Sequence, residues 1–115
     1  MRERNQRGFC RIEYPAPARP SLVTSEGTLE VIDCSESGLR YALPGAESQP
    51  EIGGEVRGVV HFHAGGEMKV EGVISRLYGR SVAVSFSGAK IPFSTILKEQ
   101  HYLRRHYLIP PPEGY

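Results

Sequence analysis

Residues 55–79 read EVRGVVHFHAGGEMKVEGVISRLYG. Two β-rich runs, EVRGVVHFH and MKVEGVISRLYG, are joined across AGGE, and a Gly-Gly turn between such runs is the strongest hairpin signal in the chain. Downstream, SVAVSF alternates Val82, Val84 and Phe86 against Ser81, Ala83 and Ser85, a third run at strand period. Upstream, SLVT and TLEVIDCS flank SEG, a turn in which Gly27 supplies positive φ. Leu29, Val31 and Asp33 alternate with Glu30 and Ile32. ESG then breaks the pattern and LRYAL resumes it. The loop at residues 44–54, PGAESQPEIGG, is rich in breakers. About six strands at this spacing predict a barrel or a sandwich.

Only the last segment changes period. In PFSTILKEQHYLRRHYL, Pro92 suits a helix first turn, with Ser94 or Thr95 as a nearby cap. Phe93, Ile96, Leu97, Leu103, Tyr107 and Leu108 fall on one helical face, with Lys98, Glu99 and Tyr102 pointing away. That face is expected to pack on the strands or on a second copy of the chain. IPPPEGY closes the sequence as a tail. Ahead of the strands, YPAPARP reads as an extended connector, because prolines exclude a regular helix there.

The chain of 115 residues is one domain, with 14 basic and 13 acidic side chains, so no global field attracts nucleic acid or a membrane. Electrostatic recognition must be local. The first eleven residues hold Arg2, Arg4, Arg7 and Arg11 against Glu3 alone. No apolar run approaches the roughly 18 residues of a membrane span, and no apolar h-region follows the basic start. These features lead to the expectation of a cytoplasmic chain whose Cys10 and Cys34 stay free thiols, a disulfide between them being the lesser alternative.

Two short patterns carry candidate chemistry. In IDCSESGLRY, Asp33 and Ser35 are two apart and share a face of an extended chain, and Gly38 marks a tight turn or a close backbone approach. The same residues also suit a turn that satisfies its own backbone. In RGFCR, Arg7 and Arg11 offer planar donor forks suited to phosphate oxygens or a guanine edge, and flat faces that stack on purines. A solvated basic leader is the plain alternative.

In combination, R-x-x-x-R in an amino-terminal loop, D-x-S-x-x-G at a strand end, further strands and a final helix resemble the PilZ domain. The resemblance runs from about Arg4 to Tyr107, with Phe9 and Ile12 also suiting the family's loop. It implies a six-stranded antiparallel PilZ-type β-barrel with a C-terminal α-helix, and a bacterial receptor for cyclic di-GMP. Carried onto this sequence, Arg7 and Arg11 would contact phosphates and guanine, Asp33 would accept guanine N–H groups, Ser35 would add a short hydrogen bond, and Gly38 would let a base approach the backbone. The family often has a further arginine before the motif, where this chain has Gln6, which bears on whether one ligand or a stacked pair binds.

The expected organisation is a flexible arginine loop at 1–13, the barrel and helix at 14–109, and a disordered tail at 110–115. Ligand would draw the loop onto the barrel and change a surface that meets an effector protein, with the chain a monomer or homodimer. No catalytic signature, cofactor, nucleic-acid polymer or membrane insertion is expected. The rival reading is a small-barrel interaction module, indifferent to nucleotide, that uses its helix face or a strand edge. His61 and His63 share a strand face, the geometry of two metal ligands, but no third ligand is evident and they read as surface histidines.

Overall fold

The computed structural model describes residues 11–45 and 50–107. Arg7, Cys10, Leu108 and the remaining residues ahead of Arg11 and beyond Tyr107 lie outside the described residues, as do residues 1–10 of the loop expected at 1–13 and the tail expected at 110–115; within that loop, Ile12–Glu13 form a strand. The strands are β1 (Ile12–Glu13), β2 (Ser21–Thr24), β3 (Gly27–Ser35), β4 (Gly38–Ala42), β5 (Glu55–His61), β6 (Glu67–Tyr78) and β7 (Ser81–Phe86), followed by helix α1 (Phe93–His106).

Every pairing is antiparallel. β3 pairs with β2 and β4, β4 with β7, β7 with β6, β6 with β5, and β5 returns to β2, closing six strands into a barrel. Closure pairs each of the six on both sides, which removes the free edges an open sheet presents. β1 is an addition to the barrel. Its Ile12 and Glu13 pair with Cys34 and Asp33, beyond the point where β2 has left β3. The connector after it is not uniformly extended: Ala16–Ala18 form a single 3₁₀ turn that buries Ala18 beside Tyr14.

Turns fall where glycine permits them. Gly27 (φ 135°) closes β2 on β3 and Gly79 (φ 62°) starts the turn from β6 to β7. Side chains at alternate positions then fill one core. Leu22, Val31, Val60, Val70, Val82 and Val84 point inward from the strands, and Ile96 and Leu103 of α1 join the same cluster.

The helix settles differently from its apolar pattern. Its buried residues are Ile96, Glu99, Gln100 and Leu103, spaced i, i+3, i+4, i+7, whereas Phe93 and Leu97 remain exposed. Glu99, read from sequence as pointing away, is fully buried. The turn between β5 and β6 presents N–H groups with no ladder partner, and the Glu99 carboxylate accepts those of His63, Ala64 and Gly65 at 3.2, 2.6 and 3.1 Å. An apolar-only reading of the face rotated it away from that carboxylate. Pro92 sits at the N-cap itself, its carbonyl accepting from Thr95 and Ile96, and no side chain caps this end. Arg104, Arg105 and His106 occupy the last turn, favourable to the helix dipole.

Candidate ligand-binding cleft

The β3–β4 hairpin builds one wall. Ser35 pairs with Gly38 around Glu36 and Ser37, neither of which has positive φ, so this is not the primed turn usual in two-residue hairpins. External bonds hold it instead: Phe86 N–H donates to the Ser37 carbonyl at 2.9 Å and Ile91 N–H to the Glu36 carbonyl at 3.0 Å.

A bulge decides which way the motif faces. Val31 pairs with Tyr41 and Asp33 with Arg40, leaving Ile32 as the extra residue. In strict alternation Asp33 would follow Leu29 and Val31 into the core. The bulge reverses the phase, so Cys34 turns inward and Asp33 and Ser35 turn together toward a cleft. A second bulge, at Ser75 between the Ile74–Val84 and Arg76–Ala83 pairs, brings Arg76 and Tyr78 to the same cleft.

The cleft has a volume of about 350 Å³ and is lined by Arg11, Asp33, Ser35, Arg40, Arg76 and Tyr78 among others. That is the lower end of the range for small-molecule sites. Three guanidinium groups face a single carboxylate, so the cleft favours anions.

Of the residues singled out from sequence, Arg11, Asp33, Ser35 and Gly38 meet here, while Arg7 lies outside the described residues. Arg11 is exposed and immediately precedes β1, which fixes it at the rim. Asp33 is only 5% exposed and pairs with Arg40: its Oδ2 accepts Nε–H at 3.0 Å and forms an ion pair with Nη2 at 2.8 Å. The Ser35 hydroxyl makes no hydrogen bond to another described residue.

A Cβ on Gly38 would stand 2.4 Å from the Val84 carbonyl oxygen, so the close approach of β4 to β7 demands glycine there. The fold therefore has its own reason for this residue.

Sequence reasoning missed Arg40, Arg76 and Tyr78. Arg40 was within reach: counting back from the Ser35–Gly38 pair places it opposite Asp33. Arg76 and Tyr78 arrive through the β6 bulge and a pairing distant in sequence, for which no local signal exists.

Behind the motif, Cys34 is a free, buried thiol. Burial pushes it up to about 12, against a smaller opposing effect of its hydrogen bond with Tyr14. The two histidines have protein partners. His61 Nδ1 lies 3.1 Å from Glu67 Oε2, and His63 stacks on Tyr102 at 4.6 Å while its Nε2–H donates to the Ala18 carbonyl. Among the described residues no group of three or more His, Cys, Asp or Glu side chains is placed to hold a metal ion, and no helix is long and apolar enough to cross a membrane.

The architecture is a closed six-stranded antiparallel barrel with a C-terminal helix and an arginine-lined cleft beside D-x-S-x-x-G. The family profile of the PilZ domain matches residues 2–104, and the chain belongs to the PilZ domain family. As a family these are cyclic di-GMP-binding receptor and adaptor modules. Comparison with curated proteins gave no significant match.

Proposed function

We propose that this chain is a cyclic di-GMP receptor and adaptor with no catalytic chemistry of its own. The observation that carries the reading is the cleft itself, where a carboxylate (Asp33), a hydroxyl (Ser35) and a rim guanidinium (Arg11) open on one space. The ligand's two phosphates and two guanines call for those groups. Arg11 and Arg7 clasp phosphate oxygens and stack on the bases, Asp33 accepts guanine N–H groups, Ser35 adds a short hydrogen bond, and the backbone at Gly38 faces a base.

Because Arg11 immediately precedes β1, whose Ile12 and Glu13 pair with Cys34 and Asp33, a ligand held by Arg11 and Asp33 together draws the preceding residues over the cleft. The covered cleft is then a new surface for an effector protein. Backbone amide shifts test the reading. On addition of cyclic di-GMP the signals of Ser35, Ser37, Gly38 and Arg76 should move, and amide exchange ahead of Ile12 should slow. Shifts confined to α1, or none at all, contradict it.

An interaction module that ignores nucleotide is the second reading. Phe93 and Leu97, 42% and 37% exposed on α1, favour it. The closed barrel, however, withholds the strand edges on which that reading also drew.

A further inference from the structure

Guanine's Watson–Crick edge, with its ring N–H, intervening carbon and amino group, is itself a guanidine. An arginine side chain presents the same donor fork. In this chain Asp33, the carboxylate assigned to guanine, already faces such a fork: Arg40 Nε–H donates to Oδ2 at 3.0 Å, and Nη2 lies 2.8 Å from the same oxygen as an ion pair. The Arg40 guanidinium therefore covers Oδ2, and Oδ1 is the oxygen to which no described residue donates. A guanine edge that uses both oxygens and an Arg40 that covers one of them compete for the same carboxylate.

The partner able to yield is Arg40. The Asp33 side chain is 7% exposed and fixed on the ladder beside β1, whereas the Arg40 side chain is 30% exposed. Its guanidinium already lies over Tyr78 while it pairs with Asp33, with Cζ 5.7 Å from the ring centre, a contact that can keep it in the cleft once Asp33 is released. Tyr78 is half-exposed and lines the same cleft.

We propose that Arg40 is an intramolecular stand-in for guanine, which occupies Asp33 until cyclic di-GMP displaces it, leaving it over Tyr78, and which thereby sets the affinity of the site. The proposal rests on the reading of the cleft as a cyclic di-GMP site. Its consequence runs against the usual effect of removing an arginine from an anion site: loss of Arg40 should strengthen binding, because the ligand no longer has to break a charge-assisted pair. Arg11 and Arg76 still supply positive charge.

The experiment is calorimetric titration of cyclic di-GMP into the parent chain, Arg40→Met and Arg40→Lys. Met keeps the apolar stem and removes the fork, and Lys keeps the charge without the planar fork. The dissociation constant should fall about tenfold or more in Arg40→Met, with Arg40→Lys between the two. In the parent chain the Arg40 Nε–H resonance should shift at saturating ligand. An unchanged or higher dissociation constant in a folded Arg40→Met variant overturns the proposal. So does an Arg40 Nε–H resonance that does not respond to saturation, which decides the matter even if the Met variant fails to fold. If neither the parent nor the variants bind, the receptor reading falls and this proposal with it; binding by the parent without the gain overturns the competition alone.

Discussion

The hydroxyl of Tyr14 donates a 2.8 Å hydrogen bond to Oε1 of Glu99, joining the residue after β1 to the middle of α1. Glu99 is 0% exposed, and its remaining acceptor capacity goes to three backbone N–H groups of the β5–β6 turn. One carboxylate thus fastens the helix, the turn and the segment that carries Arg11. In the protein interior such a group is costly unless all its lone pairs are used.

Replacing Tyr14 by Phe removes one charge-assisted bond and should cost about 1.5–3 kcal/mol of stability. Glu99→Gln places an amide donor against backbone N–H groups and should cost about 2–4 kcal/mol. Urea unfolding of both variants and their double mutant measures this. The two changes should be clearly non-additive. Additive or negligible losses contradict the network.

Alkaline pH should destabilise the fold through the same region. Burial pushes the Cys34 thiol from 9.0 to about 12, and burial, then the charges of Cys34 and Glu99, push the Tyr14 phenol far above its ordinary range. Both groups hold their protons in the folded chain at pH values where the unfolded chain has released them. Their contribution is therefore complete below about pH 9 and is lost as pH rises toward 12, at up to about 1.4 kcal/mol per pH unit for each group. Urea midpoints at pH 8, 9.5 and 11 should fall steadily, and Cys34→Ala or Tyr14→Phe should flatten the slope. A midpoint independent of pH in this window sinks the argument.

Gly38 and Ser35 should separate folding from binding. Gly38→Ala sets a Cβ 2.4 Å from the Val84 carbonyl oxygen and should cost about 1–3 kcal/mol in buffer alone. Ser35→Ala removes a hydroxyl with no described partner and should leave stability within about 0.5 kcal/mol while weakening cyclic di-GMP binding. Thermal melts with and without ligand distinguish the two. A stable Gly38→Ala variant would show that β4 and β7 can part there.

Most of the barrel was legible because its strands alternate and its turns carry glycine, and the order of motifs around Asp33 gave the family. What sequence could not supply came from bulges and from buried polarity. Strict alternation with Leu29 and Val31 would put Asp33 in the core, and the extra residue Ile32, which no local pattern announces, turns it toward the cleft. Glu99 looked like a solvated helix residue because its partners are backbone groups of a turn 34–36 residues earlier, which no side-chain pattern reveals. Arg40 lay in plain view, but its role depends on a register that must be counted from the turn.

Whether Arg11 and the Asp33 motif form one cyclic di-GMP site is decided by calorimetric titration of the parent chain beside Arg11→Ala and Asp33→Ala. The parent should give saturable heat. Each variant, folded by circular dichroism, should lose about 2–5 kcal/mol of binding, enough to erase a micromolar signal. No heat from the folded parent at saturating ligand, or two variants that bind as the parent does, would contradict such a site.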